Sequence, residues 1–281
     1  MTDAAQEQVE AWRSVAAGWE RRRPIFWEAT RQLSQRLVEL VDPAPGQTIL
    51  ELAAGPGDTG FLAAEKLGPS GTLLSTDVAP EMVEAAQRRA AELGVENAEF
   101  RVLDAAAIDL PDAFVDGVIC RFGLMLVVDV EKAFAEIARV LRPGGRAAIA
   151  VWGPPDDNDW ITAGGRAALA LGLMERPDPD APGPFRLHEV ERLLGLATAA
   201  GLTVETLEDV PVHWRARSLD EWWETTRDTS RMLSLLLERL DEARAAELEA
   251  ESRARLAGYV SADGSLEVPG LARAVLLRKP V

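Results

Sequence analysis

From residue 46 onward, short β-branched or leucine-rich runs alternate with longer stretches whose apolar residues recur every three or four positions. That alternation predicts parallel strands joined by crossover helices. The strand candidates are 47–53, 72–77, 98–103, 114–120 and 146–152, with helices over 58–67, 80–93 and 130–141. Met82, Val83, Ala86 and Ala90 mark one helical face, and Phe134, Ile137, Ala138 and Leu141 another. Arg142-Pro143-Gly144-Gly145 reads as a sharp reversal, because proline cannot continue a helix and glycine accepts positive φ. The first half is therefore expected to be a doubly wound α/β core.

The second half is less regular. Residues 153–185 are rich in proline and acids around a helix-like piece at 161–173 and read as a surface excursion. A helix at 187–200 stops at Gly201, a strand follows over 202–209, and 271–278 returns as the last strand. Between those strands, 218–257 has helical spacing and opens with Ser218 and Glu221, a capping box. The expected division is an N-terminal helical cap (1–40), a core (41–210 with 268–281), and a helical insertion (211–267) serving as lid or dimer contact.

Composition narrows the chemistry. The chain has 281 residues, 47% hydrophobic and 27% charged, which fits a globular fold. Forty-six acids against 30 bases give a formal charge of −16, which disfavours nucleic acid and anionic lipid as partners. Cys120 is the single cysteine and only two histidines are present, too few for the usual zinc sets, so the reading is cytoplasmic and metal-free. No signal peptide and no membrane span are expected.

The most informative stretch is Glu51-Leu52-Ala53-Ala54-Gly55-Pro56-Gly57-Asp58-Thr59-Gly60, which closes a strand and opens a helix. Such glycines permit tight turning and close approach of backbone to an adenosine-containing ligand. Charge then separates ligands. Glu51, Asp58, Asp77 and Asp104 all fall near carboxyl ends of strands, on the same side of a parallel sheet. Four acids there repel a pyrophosphate and suit the sulfonium and ammonium of S-adenosylmethionine. Asp58 also reads as a helix cap, and Met82 as a core residue.

These motifs resemble the class I S-adenosylmethionine-dependent methyltransferases, especially the small-molecule branch that includes ubiquinone and menaquinone biosynthesis enzymes. The resemblance runs through ELAAGPGDTG (51–60), STDVAPEMV (75–83), RVLDAAAIDLP (101–111), CRFGLMLVVD (120–129) and ARVLRPGGRAAIAVW (138–152). It implies a Rossmann-like, mostly parallel seven-stranded sheet with helices on both faces. It also implies that Glu51, Ala53, Gly55 and Gly57 hold the methionine part of the cofactor, Asp77 the ribose, Val78 and Met82 the adenine side, and Asp104 and Ala105 the adenine edge. Arg121 and Phe122 would lie between cofactor and substrate, and Trp19 would close over the cofactor.

Methyl transfer needs alignment and dryness more than a catalytic triad, and no catalytic residue is singled out. His188 and His213 are the only histidines available as a base. Eight tryptophans cluster outside the predicted core, and an apolar aromatic pocket suits a small substrate. Trp152, Trp160, Phe185, His213 and Trp222 are the substrate-side candidates. The expectation is transfer to oxygen or carbon of a small apolar or aromatic molecule. The alternatives are a ligand-binding module without turnover or an NAD-dependent oxidoreductase. The leucine-rich face of 232–240 suits a homodimer contact as well as a lid, and the Glu20-Arg21-Arg22-Arg23 run reads as a solvated face.

Overall fold

Residues 3–281 are described by a computed structural model; Met1 and Thr2 of the expected cap lie outside them. Seven strands form one sheet: β1 (Thr48–Glu51), β2 (Thr72–Asp77), β3 (Ala98–Val102), β4 (Val115–Arg121), β5 (Leu141–Trp152), β6 (Thr203–Ala216) and β7 (Leu266–Arg278). Their order is β3-β2-β1-β4-β5-β7-β6, with β1 to β5 parallel and β7 antiparallel to both its neighbours. The chain runs outward from β1 in one direction and from β4 in the other, so their carboxyl ends flank the crevice where open α/β sheets hold ligands.

The helices are α1 (Asp3–Val41), α2 (Asp58–Leu67), α3 (Pro80–Leu93), α4 (Val130–Val140), α5 (Asp159–Ala170), α6 (Val190–Ala199), α7 (Leu219–Thr229), α8 (Arg231–Leu237) and α9 (Glu242–Leu256). Central strands are apolar on both faces because helices cover both: Ile49, Leu50, Val118, Ile119 and Ile149 have no exposed surface. In α4, Val130, Ala133, Phe134, Ile137 and Val140 form the buried face, and Asp129 caps the helix by accepting from the Lys132 N–H.

Three departures from the pattern reading have physical causes. The Arg142-Pro143-Gly144-Gly145 reversal is built into β5, which starts at Leu141 opposite Val115 and reaches Arg146 through a register shift. The last two strands are longer than the apolar runs at 202–209 and 271–278. They carry Pro211 and Pro269, tolerated because β6 is the sheet edge and β5 pairs with β7 only over Ala272 to Arg278. The 218–257 run is three helices, because Ser230 and Asp241 turn their side chains onto the Leu233 and Arg244 N–H groups and start new ones.

Helix α1 spans Asp3–Val41 with Pro24 inside it. Its C-terminal residues Leu33, Leu37 and Val41 join the main core, while Ala16, Trp12 and Trp19 pack with Ala79 and Met82. It therefore crosses from beside the sheet to the carboxyl end of β2. Trp222, Trp223, Leu248 and Leu256 from the inserted helices are buried in that same main core.

Candidate functional site

The turn after β1 is left-handed at Ala53 (φ 51°), Gly55 (φ 54°) and Gly57 (φ 85°). A side chain at Gly57 would lie 2.4 Å from the Phe61 ring, so the turn tolerates no Cβ there. Gly55 is the reverse case: nothing lies within 4 Å of where its Cβ would be, so the space over it is open. At the end of β4, Phe122 also takes positive φ (62°), and a Cβ on Gly123 would meet that of Ala53 at 2.4 Å. Left-handed conformations at two non-glycine residues beside one crevice are costly, and such strain concentrates where a ligand is held.

Glu51 is buried under this turn. Its carboxylate accepts the Gly60 N–H at 2.7 Å and the Ser75 hydroxyl at 3.2 Å. Burial pushes its pKa up to about 8, while the Gly60 N–H, the Arg121 charge and the Ser75 hydroxyl pull it back and Asp58 adds to the rise. Asp77 is buried too, accepting from the Gly55 N–H at 2.9 Å and the Ala79 N–H at 3.0 Å. Burial raises its pKa, with the Ala79, Gly55 and Val78 N–H groups opposing. The Leu103 N–H donates to the Asp77 carbonyl at 2.9 Å, which sets Asp104 beside the same edge. Asp104 accepts from the Ala106 N–H at 2.9 Å, and Ala105 between them is buried.

The four acids do not stand as a bare negative ring, which corrects the sequence expectation. Glu51 and Asp77 are taken up by backbone N–H groups, and Asp58 is paired with Arg23 at 2.9 Å and lies 3.9 Å from Arg89. The Glu20-Arg21-Arg22-Arg23 run is likewise no free solvated face. Glu20 pairs with Arg88, Arg21 and Arg22 with Asp228, and Arg23 with the glycine turn's own Asp58. Arg121 donates to the Thr30 hydroxyl of α1. Burial lowers its pKa, with Asp58 and Glu51 opposing, so it is an internal cation facing those two acids.

The remaining cofactor candidates follow β2 and β4 or lie on α1. Val78 is half-buried after β2, and Met82 is buried beneath Trp19, whose indole N–H donates to the Thr229 carbonyl at 3.2 Å. Phe122 stacks on Trp152 at 3.7 Å with 14° between planes, and the Arg121 guanidinium lies 5.9 Å from the Phe122 ring centre.

On the substrate side the structure joins Trp152 and Trp160 through a residue the sequence reading passed over, and Trp222 meets Trp160 edge-on at 6.4 Å. Trp214 has no exposed surface; it stacks on Trp160 (5.2 Å, 8°), leans on Trp152 (5.8 Å) and meets Phe26 of α1 edge-on (5.2 Å). Its neighbour His213 points the other way, half exposed and 3.3 Å from Glu267. The period of two along Val212, Trp214 and Ala216 is the signal that assigns the inward face. Phe185 is half-buried outside this ring cluster, and His188 precedes α6 with Nδ1 against the Phe185 carbonyl at 2.6 Å. Thr30 and Arg23 were also missed, since they reach the site from 91 and 35 residues away. Among the described residues no group of acids, histidines and cysteine has a metal-binding arrangement, and no helix is long and apolar enough to cross a membrane.

A glycine turn at the β1/β4 switch point, with buried acids ending β1 and β2, sets this α/β sheet in the Rossmann-like class. The methyltransferase-domain family matches residues 43–155. A ubiquinone/menaquinone biosynthesis C-methyltransferase of Stutzerimonas stutzeri is 31% identical over 208 residues, spanning 70% of this chain and 81% of that protein. Nocamycin O-methyltransferase of Saccharothrix syringae is 38% identical over 136 residues, 47% of this chain and 48% of that protein. The crystal structure of YcgJ from Bacillus subtilis shares the fold, with a TM-score of 0.58 at 21% identity over 89% of this chain and 99% of that one. The chain belongs to the S-adenosylmethionine-dependent methyltransferase family. It spans 27 to 60% of the length of several other curated relatives.

Proposed function

We propose that this protein transfers a methyl group from S-adenosylmethionine to oxygen or carbon of a small, apolar or aromatic molecule. The observation that carries the reading is the left-handed turn at Gly55, open above its Cα, whose N–H is held by the buried Asp77 carboxylate while Glu51 is buried at the end of the adjacent strand. An open space over left-handed backbone, with carboxyl groups at the turn that a bound cation would hold ionised, suits a cationic adenosine ligand. Glu51, Ala53, Gly55 and Gly57 would hold its methionine end, Asp77 the ribose, and Val78, Met82, Asp104 and Ala105 the adenine. When bound, the ligand supplies an already activated methyl on a sulfonium.

The protein's own task is then alignment and exclusion of water, effects worth roughly 7–11 kcal/mol in well-oriented reactions. Helix α1 does the excluding. Trp19 covers Met82, Arg23 pairs with Asp58, and Thr30 receives the Arg121 guanidinium. The Phe122–Trp152 stack and the Trp214 and Trp160 rings provide a flat apolar wall on the acceptor side. Two relatives methylate carbon and oxygen respectively by their names, which supports those acceptor atoms.

Calorimetric titration with S-adenosylmethionine, S-adenosylhomocysteine and NAD tests the assignment. Binding of the first two without NAD is the expected result. NAD binding with no response to either sulfur compound would overturn it, and sulfonium binding with no turnover on any small acceptor would favour a ligand-binding module.

A further inference from the structure

A cavity of about 960 Å³ opens between the N-terminal end of α1, helix α8 and the chain that follows α5. Its body is apolar: Val128, six residues beyond Phe122, forms part of it with Leu173, Met174, Leu235 and Leu236. The α8 side presents Arg231, Met232, Leu235 and Leu236, with Arg239 in the turn just after the helix.

The charges around this cavity are not balanced in the way they are elsewhere. Most arginines of the chain sit against a carboxylate, as Arg22 does on Asp228 and Arg139 on Glu136. Among the described residues, neither Arg231 nor Arg239 forms an ion pair; Arg231 donates only to the neutral Ser14 hydroxyl at 2.9 Å. The opposite wall carries Glu7 and Glu10, and Glu10 is 3.3 Å from Arg13, which also holds Glu81 at 2.8 Å. The cavity thus offers an apolar strip ending in unpaired guanidiniums, the donor geometry that grips a carboxylate.

Its lining adjoins the acceptor side along the chain. Val128 follows directly from the segment after β4, and Glu7 and Glu10 precede the Trp12 and Trp19 that pack on Ala79 and Met82. We infer that this cavity receives the methyl acceptor by an elongated apolar body bearing a carboxylate, which Arg231 or Arg239 binds. The inference rests on the methyltransferase reading for the word acceptor, and on the cavity alone for the ligand's chemistry.

Decanoate, 1-decanol and decylamine serve as probes, titrated calorimetrically into the full-length protein with S-adenosylhomocysteine present and absent. Decanoate is expected to bind at least tenfold more tightly than the other two and to bind together with S-adenosylhomocysteine. The double variant Arg231→Gln/Arg239→Gln should weaken decanoate tenfold or more and leave S-adenosylmethionine affinity within twofold. Glu7→Gln/Glu10→Gln should leave decanoate binding equal or tighter.

Equal binding of acid and alcohol, preference for the amine, decanoate binding untouched in the arginine variant, or mutual exclusion of decanoate and S-adenosylhomocysteine would each overturn the inference. Unaltered protein that binds decanoate selectively but no S-adenosylmethionine would sink the methyltransferase reading and spare the acid-selective cavity. Circular dichroism melts of each variant distinguish lost binding from lost folding.

Discussion

Gly60 donates its N–H to the Glu51 carboxylate at 2.7 Å from a position where a Cβ would stand 2.1 Å from that same carboxylate. The bond and the missing side chain are one requirement: any larger residue drives Glu51 out of its buried seat. Gly60→Ala is expected to cost about 1–3 kcal/mol of stability through overpacking. Urea unfolding measures it. Adding Glu51→Ser, which frees the space, should recover part of that loss.

The raised pKa of Glu51 has a sign that can be checked. The folded state holds this proton more tightly than the unfolded chain, whose ordinary value is 4.5. Its stabilising contribution is thus fully present below about 4.5 and is lost as pH rises through about 8. Glu51→Gln does not titrate, so unfolding across pH 4 to 9 should show the unaltered protein losing on the order of 2–4 kcal/mol relative to it. A cationic ligand works the other way, favouring the ionised carboxylate. S-adenosylmethionine affinity should rise on the order of tenfold from pH 6.5 to 8.5, and Glu51→Gln should flatten the profile.

Asp77 accepts two backbone N–H groups and, as a carboxylate, has lone pairs left over. An asparagine there turns one of those acceptors into a donor. Asp77→Asn should weaken S-adenosylmethionine tenfold or more, read by calorimetry, with a stability loss of about 1–2 kcal/mol from the disturbed Gly55 and Ala79 bonds.

Helix α1 is tied down at the crevice by Arg23 on Asp58 and by Thr30 under Arg121. Removing both ties with Arg23→Ala/Thr30→Ala should speed release of S-adenosylhomocysteine several-fold in stopped-flow measurements. Limited proteolysis should cut the N-terminal segment sooner, with the far-ultraviolet spectrum unchanged.

Deletion of 218–257 is expected to abolish cooperative unfolding rather than to produce a lidless enzyme. Trp222, Trp223, Leu248 and Leu256 are packed in the main core, and Trp222 donates to the Trp160 carbonyl at 3.2 Å. A sharp thermal transition in the truncated chain would count against this.

Most of the cofactor half could be read from local pattern, because its strands, crossover helices and glycine turn are each written within a dozen residues. Gly55, Asp77 and Asp104 needed no tertiary knowledge to be placed on one edge. What escaped was long-range. Thr30 meets Arg121, and Arg23 meets Asp58, only once α1 has folded across the sheet. Arg23 therefore looked like surface charge, and the acids looked unpaired. Pro211 and Pro269 disguised the true length of β6 and β7, since a proline ends a strand unless the strand lies on an edge. Trp214 was hidden behind His213, whose chemistry drew notice while the alternation gave the inner face to the tryptophan.

The long β6–β7 pairing runs from Thr203 opposite Arg278 to Ala216 opposite Leu266, and α7, α8 and α9 hang from its far end. On the reading proposed above, one part of the acceptor side, Trp214 and helix α8, is thus carried on a single antiparallel arm, outside the parallel layers assigned to the donor. On that reading, changes along the arm away from Asp228 and Thr229, which meet α1, would alter the choice of acceptor more than the grip on the donor.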